Sequence, residues 1–235
     1  ACRVFDDLDK ASGYVRQKGA PLVVKADGLA SGKGVVVAQS VEEALAACED
    51  MLGKGKFGAA GSRVVIEEML PGEEVSLLCV CDGEEAWPLP SAQDHKAVFD
   101  GDNGPNTGGM GAYSPAPLLP DENLTEMAAK VAEPILREMK KRGHPFVGVL
   151  YAGLMIGPEG AKVLEYNARF GDPECQPLLM RLEGDLAALL KSCAQGRMDK
   201  NSVSFEKRSA LGVVLAAEGY PGSYPKGMEI SGLEQ

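Results

Sequence analysis

Leu8, Ala11 and Val15 recur at helical spacing, so residues 6–18 read as a helix closed by Gly19. Pro21 to Ala26 and Val35 to Ala38 are short apolar runs and read as strands. Ser40 opens S-V-E-E, a capping box with Glu43, and Ala44, Leu45, Cys48, Met51 and Leu52 mark the apolar face of the helix behind it. A glycine-spaced loop over 53–61 leads to strands over 64–68, 75–81 and 86–89, with a turn at 69–72. Ser91 to Pro120 holds neither period and reads as one long irregular segment. Its middle, N-G-P-N-T-G-G-M-G-A-Y, is too specific for low complexity, and a loop of that length in a compact domain points to function. Leu124, Met127, Val131, Ile135 and Met139 predict a helix over 121–142, kinked at Pro134. Strands over 146–156 and 161–167 joined by G-P-E-G, a helix over 184–195 and a strand over 211–216 follow. Helices and strands alternate without regular βαβ winding, so the pattern predicts an α+β fold with mixed or antiparallel sheets.

The chain of 235 residues is long enough to bury a core without staples. A net charge of −10 argues against nucleic acid or an anionic membrane as partner, since both demand a basic face. No apolar run reaches the ~18 residues of a membrane helix, and no signal peptide opens the chain. Both ends read as cut rather than finished. The six cysteines form no C-x-x-C, and Cys79 and Cys81 point the same way along one strand. Reduced thiols in a cytoplasmic protein are the expectation. Two histidines exclude a histidine-rich metal site, and no G-x-S-x-G elbow is present. The 29 glycines exceed the usual share of about 7%.

Three of them punctuate D-G-L-A-S-G-K-G, Asp27 to Gly34. Glycines let backbone N–H groups turn inward around phosphate oxygens. The loop is not a Walker A motif: Asp27 stands where its first glycine belongs, Gly34 follows Lys33, and the loop joins two strands. Lys25 and Lys33 flank the glycines and could neutralise a triphosphate; a flexible hairpin with solvated lysines is the plain alternative. In I-E-E-M-L-P-G-E-E-V-S, Ile66 to Ser76, exposed backbone at the break could read an adenine edge and a carboxylate could accept from ribose hydroxyls; taken by itself, the segment is better explained by solvated turn acids. The strongest element is V-L-E-Y-N-A-R-F-G-D-P-E, Val163 to Glu174. In a strand, Glu165 and Asn167 are i and i+2, roughly 7 Å apart on one face. Val163 is expected to share that face, with Leu164 and Tyr166 on the other toward a core. Two hard oxygen ligands suit Mg²⁺, which leaves positions for water and phosphates. Arg169, Asp172 and Glu174 follow in a short loop, where a guanidinium can hold a phosphate.

Taken in order, V-V-K-A-D-G-L-A-S-G-K-G-V, V-I-E-E-M-L-P-G-E-E-V-S, Q-D-H-K, G-P-N-T-G-G-M-G-A-Y-S-P and E-Y-N-A-R-F-G-D-P-E-C-Q resemble the ATP-grasp superfamily, and within it the glycinamide ribonucleotide synthetase family, over nearly the whole chain. The resemblance implies an ATP-grasp fold, with a lid subdomain over residues 1–70 and a larger subdomain over 71–235 holding ATP between two sheets. Flanking amino- and carboxy-terminal domains are expected beyond them. It implies ATP-dependent ligation of glycine to 5-phosphoribosylamine through a glycyl phosphate, with Mg²⁺ or Mn²⁺. Lys25, Gly32, Lys33 and Gly34 would meet the phosphates. Glu67, Glu68, Met69 and Leu70 would line the adenine pocket, and Glu74 the ribose. Glu165 and Asn167 would hold the metal. Asp94, His95, Lys96, Thr107, Gly108, Gly109, Arg169 and Asp172 would shape the acceptor side, with Arg169, Asp172 and Lys33 nearest the chemistry. Many ATP-grasp enzymes carry a further metal carboxylate on the facing strand; Val147 to Ile156 contains no acid. Another ATP-grasp carboxylate–amine ligase, or a nucleotide-binding fragment without turnover, is the alternative.

Overall fold

The structure, a computed structural model, describes residues 2–30 and 34–233. The chain divides into two compact units, Ala1–Leu70 and Pro71–Gln235.

The first unit holds β1 (Cys2–Phe5), α1 (Leu8–Lys18), β2 (Leu22–Ala26), β3 (Val35–Ala38), α2 (Val41–Cys48) and β4 (Val64–Glu68). Its antiparallel sheet has the order β1-β4-β2-β3. Asp7 caps α1 by accepting from the Lys10 N–H, and Gly19, at φ 79°, ends it. Ser40 caps α2 as expected, accepting from the Glu43 N–H at 3.1 Å. The reciprocal bond differs from a standard capping box: the Glu43 carboxylate accepts from Gln39, one residue before the cap, at 2.8 Å. Beyond Cys48 the helix widens into a π turn, Glu49–Gly53, which still buries Met51. Leu22 and Val24 of β2 and Val64 and Ile66 of β4 pack under Ala11, Val15, Ala44, Ala47 and Cys48. By strand alternation Val23, Lys25, Val35 and Val37 occupy the sheet face away from the helices.

The second unit is built on β5 (Glu73–Asp82), β6 (Ala86–Pro88), β7 (Gln93–Asp94), β8 (Ala97–Phe99), β9 (Asn103–Asn106), β10 (Gly111–Ser114), α3 (Leu124–Lys141), β11 (Val147–Gly157), β12 (Gly160–Asn167), α4 (Cys175–Met180), β13 (Leu182–Gly184), α5 (Leu186–Ala194), β14 (Val203–Phe205) and β15 (Ala210–Val213). The main antiparallel sheet has the order β12-β11-β5-β6. On one face Val75, Leu77, Cys79, Cys81, Leu150, Ala152 and Leu154 pack against Ala128, Val131, Ala132 and Leu136 of α3. On the other, Leu78, Val80, Val149 and Tyr151 meet Leu178, Leu189 and Cys193. Both faces of β5 and β11 are covered, which explains their near-continuous apolar runs. Pro134 sits inside α3 without ending it.

The segment from Ser91 to Pro120 is not the irregular loop the sequence suggested. Its strands β7 and β10 form a sheet with β15, and β8 pairs with β9. These strands have two to four residues, too few for a period to register, and β9 is N-G-P-N, a poor strand former held by pairing alone. The six cysteines are free. Among the described residues no helix is long and apolar enough to cross a membrane.

Candidate functional site

On the first unit, Lys25 projects from the sheet face that the helices leave open and pairs with Glu67 at 2.6 Å. Glu68 ends β4 and is exposed; Met69 and Leu70 follow, half-buried, with the Met69 sulfur accepting from the Gln39 side chain at 3.6 Å. The base of the glycine loop is pinned. The Ala26 N–H donates to the Gly34 carbonyl at 2.8 Å, and the Gly28 N–H to Ala60 at 3.0 Å. A Cβ on Gly34 would lie 2.6 Å from the Ala30 methyl, so close approach requires glycine there. Gly32 and Lys33 lie outside the described residues.

On the second unit, Glu165 and Asn167 share a face as expected: the Asn167 amide donates to the Glu165 carboxylate at 3.1 Å. Val163 does not share it. Glu165 stands opposite Gly153, but Val163 opposite Leu154, so β12 carries one extra residue, Leu164, and a bulge. The bulge reverses the alternation. Val163 packs into the α3-side core, and the Tyr166 hydroxyl, on that same side, donates to the Val131 carbonyl at 2.7 Å. Glu165 and Asn167 therefore stand on the opposite face, with two oxygen donors accessible to solvent. Among the described residues no group of three acidic, histidine or cysteine side chains is placed to hold a metal ion. A pair of hard oxygen donors fits a Mg²⁺ ion that keeps water and phosphate ligands; it does not fit an ion caged by protein alone.

On this face also lies a compact ion cluster. Lys96 bonds Glu74, and reaches Asp94 at 3.3 Å. Burial opposes the charge on Lys96, yet the carboxylates of Asp94 and Glu74 outweigh it, and its pKa is raised. Burial raises the Asp94 carboxyl, with Glu174 and Glu74 adding to the shift and Lys96 opposing it. Backbone over residues 107–109 hangs on the same residue. The Thr107 N–H and hydroxyl both donate to the Lys96 carbonyl, at 2.7 and 2.9 Å, and the Gly109 N–H donates to the Thr107 hydroxyl at 3.0 Å. Gly109, at φ 131°, approaches Pro173 so closely that a Cβ would lie 2.2 Å from its ring. This brings Gly109 beside Asp172, whose carboxylate accepts from Gln176 at 3.0 Å. The Gly108 N–H donates to the Tyr220 hydroxyl at 3.3 Å. His95 is exposed, its ring tilted against that of Tyr113 with centroids 5.7 Å apart. Arg169 is exposed and donates to the Phe170 carbonyl at 2.8 Å.

Sequence reasoning passed over three buried polar residues. Ser76 donates to the Glu174 carboxylate at 2.8 Å and lies 2.9 Å from the Tyr151 hydroxyl. Burial, then the nearby Glu174 charge, pushes the Tyr151 phenol up. Their signal was available: Ser76 and Tyr151 are polar interruptions of the apolar runs of β5 and β11. Arg181 is also buried, its guanidinium donating to the carbonyls of Glu206 and Arg208 and to Ser114.

A family model described as the phosphoribosylglycinamide synthetase ATP-grasp (A) domain matches residues 1–175. The chain is 55% identical over 231 residues to the phosphoribosylamine–glycine ligase of Brucella melitensis, covering 98% of this chain and 54% of that protein. It is 54% identical to the ligase of the same name from Vibrio cholerae, covering 97% of this chain and 54% of that one. It thus spans about half the length of the curated relatives it matches. The crystal structure of the Thermotoga maritima phosphoribosylamine–glycine ligase superposes at TM-score 0.88 and 36% identity, over 100% of this chain and 59% of that chain. The biotin carboxylase domain of a Hydrogenobacter thermophilus 2-oxoglutarate carboxylase, at TM-score 0.63 and 16% identity over 87% of this chain and 43% of that one, shares the fold alone. An ATP-grasp fold, the matched family model and relatives above half identity lead to one conclusion: the chain belongs to the phosphoribosylglycinamide synthetase ATP-grasp (A) domain family.

Proposed function

We propose that this chain is the ATP-grasp portion of a ligase that joins glycine to 5-phosphoribosylamine, giving glycinamide ribonucleotide, ADP and phosphate. Residues 1–70 act as its lid subdomain and 71–235 as its metal- and acceptor-bearing subdomain. The observation that carries the reading is the meeting of Glu165 and Asn167 at 3.1 Å on the face that also holds Glu74, Asp94 and Lys96. The names of the relatives support the substrates.

Glycine's carboxylate is a poor electrophile. One of its oxygens attacks the γ-phosphorus of ATP, ADP leaves, and glycyl phosphate forms. The nitrogen of phosphoribosylamine then attacks the acyl carbon, phosphate leaves, and the nitrogen loses a proton. Two anions must meet in the first step, so cationic groups must offset their repulsion. Lys25 and Lys33 serve this end on the phosphates, with Gly32 and Gly34 giving backbone access. Glu67, Glu68 and the backbone at Met69 and Leu70 receive adenine, and Glu74 the ribose. Glu165 and Asn167 hold Mg²⁺ or Mn²⁺, which when bound neutralises phosphate charge. Asp94, His95, Lys96, Thr107, Gly108, Gly109, Arg169 and Asp172 orient the acceptor, Arg169 and Asp172 lying nearest the reacting atoms. The test is ADP release by the full-length chain against a panel of amino acids with phosphoribosylamine present. Dependence on glycine supports the assignment; dependence on another acid moves it to a different ligase. Calorimetric binding of Mg-ATP without any turnover reduces it to a nucleotide-binding module.

A further inference from the structure

We propose that Glu174 is a positioning residue that, through Ser76 and Tyr151, sets the sheet surface on which Glu165 and Asn167 stand. The inference rests on the reading of that pair as the metal site. Glu174 is 2% exposed, and its carboxylate is packed so tightly against Gly171 that a Cβ there would lie 2.3 Å from Oε2. A carboxylate held this way needs a donor, and the Ser76 hydroxyl supplies it at 2.8 Å. A hydroxyl has one proton, so Ser76 accepts from the Tyr151 hydroxyl, 2.9 Å away, and the chain runs Tyr151 to Ser76 to Glu174. Its start lies beside the metal pair, on the same face of the sheet. Tyr151 stands opposite Asn167 in the ladder, and Ser76 opposite Gly153, itself opposite Glu165. Above Gly153 a Cβ would be 3.5 Å from the Tyr151 ring and 3.6 Å from the Glu165 side chain, so ring and side chain flank one gap. The other end of the chain follows the segment bearing Arg169 and Asp172. Glu174 thus ties that segment to the strands beside the two metal donors. Groups that hydrogen-bond metal ligands usually affect affinity about 10–100-fold, and a chain that sets the neighbouring strand through packing is taken to act within that range.

The experiment measures free Mn²⁺ by electron paramagnetic resonance in titrations of the full-length chain with ATP present, the binding of Mn²⁺ to ATP alone being measured without protein and subtracted, alongside thermal melting. Glu165→Ala is the control for the metal reading: if Mn²⁺ binding survives it, that reading falls and this inference falls with it. With the control abolishing the site, Glu174→Leu is expected to weaken Mn²⁺ binding about 10–100-fold. Glu174→Gln keeps an acceptor oxygen and is expected to stay within about threefold of the parent. Ser76→Ala, a small change that tests the same chain should Glu174→Leu fail to fold, is expected to weaken binding about tenfold. Unchanged Mn²⁺ affinity in Ser76→Ala, a lowered melting point alone, or a Gln variant as weak as Leu each overturns the proposal.

Discussion

Asn167 donates to Glu165 at 3.1 Å across one face of β12, while the bulge at Leu164 turns Val163 to the other. The two donors are therefore placed together by backbone geometry. Glu165→Ala is expected to weaken Mg-ATP binding at least about tenfold. Lys54→Ala, which removes an exposed pair with Asp50, is expected to leave it unchanged. Calorimetric titration of both variants checks this, and equal effects count against the metal assignment.

Lys25 pairs with Glu67 with both side chains largely covered, so its loss is expected to cost about 1–3 kcal/mol of stability. If it also meets phosphate, Lys25→Ala lowers nucleotide affinity about tenfold or more, as expected for a charge-assisted bond. A variant that melts normally and binds ATP as the parent does returns Lys25 to a surface role.

Two glycines near the site are expected to respond differently to alanine. Gly109 has φ 131° and no room beside Pro173, so Gly109→Ala is expected to destabilise by more than about 1 kcal/mol and impair acceptor use. Gly153 has ordinary van der Waals space, and Gly153→Ala is expected to fold as the parent does. Chemical denaturation of the pair gives the comparison; similar losses contradict it.

Burial pushes the Cys48 thiol up to about 11 and Cys81 up to about 12, with Cys79 also raised. Each folded-state value lies above the unfolded one, so the folded chain holds more protons through that window. Their contribution is complete below about pH 8.5 and is lost as pH climbs through the folded values. The melting temperature is expected to fall between about pH 8.5 and 11, and Cys48→Ala to flatten that fall. An unchanged slope in the variant contradicts the assignment.

Local signals carried much of this architecture. Ser40 marks a helix start by its capping side chain, and Gly19 marks an end; the caps at Asp7 and Asp185 emerged only in the structure. The apolar runs of β5 and β11 marked strands, though not their covering on both sides, and the two-residue period paired Glu165 with Asn167. What stayed hidden depended on distant partners. β10 is a strand because Ala210–Val213 lies beside it. Val163 changed face because one residue is absorbed by a bulge that only pairing defines. Glu174 read as a loop acid, and its burial against Ser76 joins residues far apart in sequence. β1 and α4 were missed, being too short to show a period.

The most direct measurement is a crystal structure of the full-length chain with Mn²⁺ and a non-hydrolysable ATP analogue, read by anomalous scattering. The account predicts a manganese peak within about 2.3 Å of oxygens from both Glu165 and Asn167, with phosphate oxygens completing the shell. A peak ligated elsewhere, or by phosphates without either side chain, contradicts it.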